Sequence, residues 1–332
     1  MAKFLIIRFS SIGDIVLTTP IVRCLHKQLP DAAIHFLTKE SFKDIVANNP
    51  HINKVHTLGD DFEAMLAELK AEEFDYIIDL HHNLRTLRVK NFLKKVKSFS
   101  FNKLNVEKFI YTNFKINTLP KKHIVDRNFE TLRSLNIIND GFGLDYFVPE
   151  KDIVPKNDIP AAHSAGYIGI VIGAALATKQ LPVHKLKELC ERIDHPVILL
   201  GGKEDRAAGD LIAAVDEMKI YNACGKFNLN ESADLVRNAK LIISHDTGLM
   251  HIAAAFQKPI ISVWGNTVPA FGMYPYYGAK SSQQYAVVEV HKLWCRPCSK
   301  IGYDKCPRGH FKCMEKISID EILTLTKQYL SR

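Results

Sequence analysis

Apolar residues fall along this chain in short runs, each followed by a longer stretch with helical spacing. Phe4–Phe9, Ile34–Thr38, Tyr76–Leu80 and Val96–Phe101 predict four strands in the first half. Ile168–Ile172, Val197–Leu200, Leu241–Ser244 and Ile260–Val263 repeat the scheme in the second. Helical patterns separate them, near Pro182–Arg192, Asp205–Val215, Asn230–Asn238 and Gly248–Phe256, and the stretch IVLTTPIVRCLHKQL after Asp14 predicts one amphipathic helix. Strands that are apolar on both faces and joined through helices belong to parallel sheets covered on both sides. Between the halves, Pro149 to Gly166 gathers Pro149, Pro155, Pro160 and Gly166, the composition of a linker. The expected fold is α/β, with Rossmann-like domains over 1–155 and 165–316, their parallel sheets facing a cleft, and a final helix within 317–332 packing back across the linker.

Composition sharpens this in two ways. A 332-residue chain with 47% hydrophobic and 24% charged residues is a globular protein of about two domains. No stretch approaches the roughly 20 apolar residues of a membrane span, and MAKFLIIRF runs at once into Arg8 and Ser10, as a first strand does and a signal peptide does not. The net charge of +8 is unevenly spread, since His81–Arg127 holds twelve Lys or Arg against two acids and the rest is slightly acidic. That segment is either a solvated basic face or the footprint of an anionic partner: a phosphorylated substrate, an acidic membrane surface or nucleic acid.

Candidate chemistry lies at the strand ends. After the run at Leu241, Asp246-Thr247-Gly248 leads into a helix bearing His251, four residues after Thr247 and on its face. This junction is either a plain helix cap or a phosphate site at a helix N-terminus, and a cap alone has no use for Gly248 and His251. Gly173 to Pro182, GAALATKQLP, follows another strand and either closes on phosphate oxygens through Lys179 or is an ordinary loop with a solvated lysine; it lacks the Walker A order. Gly201-Gly202-Lys203-Glu204-Asp205 offers acids to ribose hydroxyls or to a helix N-terminus. Gly265-Asn266-Thr267 makes a fourth such turn.

In the first half, Ser10, Ser11, Gly13 and Asp14 form a β-to-α turn with one glycine, which disfavours a dinucleotide fingerprint. Asp14 is there either a first-turn acid or a general base for an acceptor hydroxyl. Of seven cysteines, Cys24, Cys190 and Cys224 sit in core-like patterns, as small buried groups in a reducing cytoplasm would. Cys295-x-x-Cys298 with Cys306, His310 and Cys313 has, in its first half, the spacing of structural zinc; reduced thiols are the alternative.

Taken in order, SSIGDIVLTTP, DLHHNLRT (Asp79 to Thr86), GAALATKQLP, GGKED, DTGLMHIAAA, GNT and the CRPC tail resemble the ADP-heptose lipopolysaccharide heptosyltransferases of glycosyltransferase family 9. The resemblance spans nearly the whole chain. It implies a GT-B fold and an inverting, metal-independent transfer of heptose from an ADP-sugar to a lipid A core acceptor, with no cofactor and no nucleic acid. Carried over by residue, it makes Asp14 the catalytic base and Lys179 the pyrophosphate lysine. Asp246, Thr247, Gly248 and His251 become the nucleotide-sugar site and Glu204 the ribose contact. Leu181 departs from the pattern, since members often carry tryptophan there.

Ser11, Gly13, Arg85 and Arg88 then face the acceptor, with Lys90 beside them, while Lys94, Lys95 and Lys97 face the anionic leaflet at the inner side of the cytoplasmic membrane, placing the protein there peripherally. Competing expectations are another GT-B enzyme, a transferase or epimerase acting on a different nucleotide sugar, and a nucleic-acid-binding module using the basic segment and a zinc ribbon.

Overall fold

The computed structural model describes residues 2–331. Two compact units emerge: the chain up to Lys103 with Lys122–Phe147 and Gly278–Ser281, and Leu104–Lys121 with Val148–Tyr277 and everything from Ser282 onward.

In the first unit, β1 (Lys3–Ile7), β2 (Ala33–Lys39), β3 (Lys54–Leu58), β4 (Tyr76–Asp79) and β5 (Lys97–Ser100) pair in the order β3-β2-β1-β4-β5, all parallel. Its helices include α1 (Ile12–Val16), α2 (Thr19–Gln28), α3 (Phe62–Ala71) and α4 (Leu84–Phe92). Leu5, Ile7, Leu37, Leu66, Leu69 and Ile77 form a core between sheet and helices, each burial worth about 1.5–3 kcal/mol. One amphipathic helix was expected after Asp14, and two are found. Thr18 stands at the N-cap position of the second, its hydroxyl donating back to the Ile15 carbonyl at 2.7 Å, and Pro20 falls in its first turn, where proline's missing N–H costs nothing; in an unbroken helix its ring would meet the Val16 carbonyl.

The second unit opens with α5 (Asn105–Phe114), while α6 (Ile124–Phe129) belongs to the first. The second sheet holds β6 (Ile168–Val171), β7 (Val197–Leu200), β8 (Ile220–Asn222), β9 (Leu241–His245), β10 (Ile260–Trp264) and β11 (Tyr285–Glu289), parallel in the order β11-β10-β9-β6-β7-β8. Every residue of β6, β7, β9 and β10 is buried, as their unbroken apolar runs foretold. The strands that the pattern missed, β3, β8 and β11, are all at sheet edges, where partial cover admits residues such as Lys54 and Glu289.

Helices α7 (Val183–Arg192), α8 (Arg206–Ala213), α9 (Leu229–Asn238), α10 (Gly248–Ala255), α11 (Lys312–Glu315) and α12 (Ile319–Leu330) complete the second unit. Ile319 and Ile322 of α12 enter the core beside Leu189 and Leu241, and the helix packs on α7 and on β9 to β11. The Pro-rich connection is fastened to this unit: Asp152 accepts from the amides of Asn228 and Asn230 at 3.2 and 2.9 Å, and Asp234 accepts the Val154 N–H at 3.0 Å.

Each sheet reverses its winding once, between β1 and β4 and between β6 and β9. The carboxyl ends beside such a reversal are where doubly wound sheets open to ligands.

Candidate functional site

In the second unit the reversal brings Gly173 to Lys179, after β6, next to Asp246, after β9. The Lys179 ammonium lies 2.7 Å from Asp246 Oδ2 and 3.3 Å from the Asp246 carbonyl. The Thr267 hydroxyl, from the turn after β10, donates to the same carboxylate oxygen at 3.1 Å. Three strand ends thus converge on one carboxylate. Thr247 stands at the N-cap of α10 without capping it through its side chain; its hydroxyl is instead 3.3 Å from that of Ser244. The plain-cap reading therefore does not hold for Thr247, and the amides at Gly248 open the helix with its positive end next to Lys179. His251 is buried in the body of the helix, 2% exposed.

Residues that sequence reasoning passed over hold this arrangement. His245, fully buried, accepts the Leu181 N–H on Nε2 at 2.9 Å, fixing the lysine loop to the end of β9; burial holds its pKa down at about 4, so the ring stays a neutral acceptor. Thr178, beside Lys179, is tied to the Tyr303 backbone by its hydroxyl, which accepts at 2.8 Å and donates at 3.0 Å. Arg296, inside the CRPC tail and 7% exposed, donates to the carbonyls of Gly265, of Thr267 at 3.0 Å and of Val290 at 2.7 Å, and pairs with Glu289 at 2.8 Å. The cysteine-rich tail thereby grips both the lysine loop and the turn that carries Thr267. The available signal was an arginine set between two cysteines.

In GGKED the structure separates the two acids. Glu204 is exposed, whereas Asp205 is buried and accepts the Gly202 N–H at 2.8 Å. Burial pushes the Asp205 carboxyl above its ordinary pKa. Gly173 is required beside it, since a Cβ there would sit 2.0 Å from Asp205 Oδ2. Asp205 therefore joins the ends of β6 and β7, and Glu204 remains on the surface.

The first unit presents a second cluster at its own reversal, where Ile7 and Asp79 are register partners. Asp14 accepts the Ser11 N–H at 3.2 Å and its hydroxyl at 2.8 Å on Oδ2, and Oδ1 pairs with Arg8 at 2.5 Å. Arg8 is itself aimed by the carbonyls of Ser10, at 2.9 Å, and Leu80. The Asp14 side chain keeps 22% exposure, so it is braced and reachable. Gly13 is buried and Ser11 exposed. His81 packs edge-on to Phe9 at 5.3 Å, its pKa lowered to about 4 by burial and then by Arg8 and Lys103.

The basic residues after β4 divide. Lys90, expected to face an acceptor, instead pairs with the fully buried Asp79 at 2.9 Å and donates to Ser100 at 2.7 Å. Asp79 needs that cation because a buried carboxylate without one is costly. Arg88 pairs with Glu63 at 3.0 Å and lies over the Phe62 ring at 4.3 Å. Arg85, Lys94, Lys95 and Lys97 are exposed.

The cysteines of the tail gather near one another, without a close-set group of ligand atoms among them. Cys295 and Cys313 are buried, Cys298 and Cys306 partly so, and Cys295 Sγ approaches His310 Nε2 at 3.8 Å. No three of these groups bring ligand atoms within 4.8 Å of one another; among the described residues only His35, His56 and Glu72 do. Burial holds the Cys313 thiol up at about 12. The histidine set is satisfied from within: His35 Nδ1 is 2.9 Å from His56 Nε2, His56 Nδ1 is 2.8 Å from Glu68, and the ammoniums of Lys3 and Lys54 stand 3.1 and 2.7 Å from Glu72. Two lysines already fill the place of a cation.

Among the described residues no helix is long and apolar enough to cross a membrane. The profile of Glycosyltransferase family 9 (heptosyltransferase) matches residues 63–305. Lipopolysaccharide heptosyltransferase 1 of Campylobacter coli is 27% identical over 296 residues, covering 80% of this chain and 84% of its own. A glycosyl transferase family 9 structure from Veillonella parvula superposes with a TM-score of 0.79 at 20% identity, covering 99% of this chain and 97% of its own. The E. coli heptosyltransferase WaaC, solved with ADP, does so at 0.68 with 19% identity, 98% and 99% covered. These likenesses carry the GT-B fold of two parallel α/β units, and with the profile spanning most of the sequence the chain belongs to glycosyltransferase family 9, the heptosyltransferases.

Proposed function

We propose that this protein transfers a heptose from an ADP-activated sugar onto the lipid A core acceptor of lipopolysaccharide, with inversion at the anomeric carbon and without a cofactor. The observation that carries the donor half is the convergence of Lys179, Asp246 and Thr267 at the β6–β9 reversal, directly before the α10 N-terminus. As the glycosidic bond breaks, negative charge grows on the departing diphosphate. Lys179 and the amides at Thr247 and Gly248 are fixed donors of the kind that meet such charge. Asp246 holds the ammonium in place until the diphosphate arrives, and His251 supports the helix from within. The exposed Glu204 suits a ribose hydroxyl. The ADP in the solved E. coli relative supports the choice of nucleotide.

Asp14 is the general base of this reading. Its carboxylate takes the proton of the acceptor hydroxyl as that oxygen attacks the face of the sugar opposite the diphosphate. Ser11 and Gly13 shape its turn, and Arg8 orients it. Arg85 and Arg88 meet the acceptor's anionic groups, Arg88 by exchanging Glu63 for them. A lipid-linked acceptor places the protein peripherally at the inner face of the cytoplasmic membrane. The test is ADP release from ADP-heptose in the presence of a lipid A core acceptor, with the native chain, Asp14→Ala and Lys179→Ala. Turnover that needs both residues supports the reading. Turnover with a different nucleotide sugar, or undiminished turnover in both variants, defeats it.

A further inference from the structure

We propose that α5 is the element by which this protein docks on an anionic phospholipid bilayer. None of its residues is buried. Val106, Phe109, Ile110, Asn113 and Phe114 follow the spacing of a helix stripe, and four of the five are apolar; in a soluble protein such a stripe faces the core. Here it faces outward: Val106 is 68%, Phe109 59% and Phe114 65% exposed, and Ile116, just past the helix, 59%.

The helix is nevertheless held in place from its other side. Tyr111 packs edge-on to Phe271 at 5.9 Å, the Lys115 ammonium donates to the Pro297 carbonyl at 2.7 Å, and the Lys300 ammonium reaches Asn105 at 3.4 Å. Phe109 and Phe114 lie edge-to-face at 6.3 Å, so the outward stripe is one surface. A helix anchored by its polar side that offers apolar side chains to its surroundings is the reverse of ordinary packing, and an exposed patch of this kind marks an interaction site.

Charge selects the occupant. Residues 103–122 carry five lysines and a single acid, Glu107; Lys115 is held by the Pro297 carbonyl, and Lys122 pairs with the exposed Glu130 at 2.9 Å. Apolar and aromatic residues flanked by lysines are the composition of a helix lying in the headgroup plane, with stems running along the acyl boundary and ammoniums among lipid phosphates. A second copy on this face would set lysines against lysines, which opposes self-association. The proposal rests on the lipid-linked acceptor of the proposed function and names what holds the enzyme at that surface.

Flotation of the full chain with vesicles tests it, using phosphatidylcholine alone and phosphatidylcholine mixed with phosphatidylglycerol. The native chain is expected on the mixed vesicles and largely released by high salt. Phe109→Ser/Phe114→Ser is expected to lower that partition by about 10-fold or more. The same variant should keep the native thermal midpoint and native turnover of a delipidated, water-soluble acceptor. Equal partition of variant and native, no binding by the native chain, or a native dimer that the variant dissociates would each overturn the assignment. Absent turnover of the soluble acceptor by the native chain would instead count against the transferase reading and leave the vesicle result to decide docking.

Discussion

Lys179 and Asp246 meet at 2.7 Å across the ends of two neighbouring strands, and Thr267 shares the same carboxylate oxygen from a third. An ammonium held in this way is preorganised for the diphosphate, since little needs to move when charge develops there. Lys179→Ala should lower kcat by about 10²–10³-fold, the usual cost of losing one preorganised donor. Rates of ADP release at saturating donor check this, and a native rate in the variant would take Lys179 out of the charge-stabilising role.

Asp14 belongs to the other unit, and its loss should separate chemistry from donor binding. Asp14→Ala is expected to lower kcat by about 10²–10⁴-fold while ADP affinity, followed by calorimetry, stays native. A matching loss of ADP affinity would mean that the variant damages the fold or that Asp14 contacts the donor.

Arg296 ties the cysteine-rich tail to the donor cluster through Gly265, Thr267, Val290 and Glu289. Arg296→Ala leaves Glu289 without the guanidinium and removes the donor to four carbonyls, those of Trp264, Gly265, Thr267 and Val290, and should cost about 3–5 kcal/mol. Urea unfolding reads the stability, and donor KM should rise in the same variant because Thr267 loses its fixed position. Unchanged KM would confine Arg296 to a purely structural part.

The paired histidines of the first sheet predict a pH dependence. Burial holds His35 down at about 4 from 6.5 and also lowers His56. Both take up a proton less readily in the folded chain, and for His35 the unfolded chain binds more protons between about 4 and 6.5. Their contribution is therefore present above pH 6.5 and lost as pH falls toward 4, on the order of 3 kcal/mol for His35. Glu72, lowered to about 2 by its bonds from Lys54 and Lys3, acts in the same direction below its ordinary value. Unfolding free energies across this window should fall as the pH is lowered, and His35→Gln should flatten the slope; an equal slope would rule out His35 as its source.

Gly173 faces Asp205 so closely that a methyl group would stand 2.0 Å from Oδ2. Gly173→Ala should destabilise by about 1–3 kcal/mol, seen as a lower thermal midpoint. Asp205→Ala in the same chain should recover part of the loss if that contact is the cause.

Much of this protein was legible along the chain. Strands β6, β7, β9 and β10 are buried on both faces, so their apolar runs had no competing reading, and the turns after β6 and β9 marked Lys179 and Asp246 by residue type alone. The edge strands β3, β8 and β11 were not legible, because a strand covered on fewer sides has no such uniform pattern. Proline chemistry at Pro20 was also readable in principle, yet the amphipathic period ran straight through the break.

Other outcomes were settled by partners distant in sequence. Lys90 and Arg85 read alike as basic residues on one segment, but Lys90 has the buried Asp79 to neutralise and Arg85 does not. Glu204 and Asp205 are adjacent acids, and only the close approach of Gly173 and Gly201 decides that Asp205 is the one taken inside. The apolar stripe of α5 is turned outward in the structure, which the basic composition of its segment did not foretell. Periodicity and residue type determined the two parallel sheets and the strand ends that carry chemistry, since these depend on local spacing and burial. Which charged groups brace the fold and which remain for a ligand was decided only in the tertiary structure, because a charge finds its counterion through space.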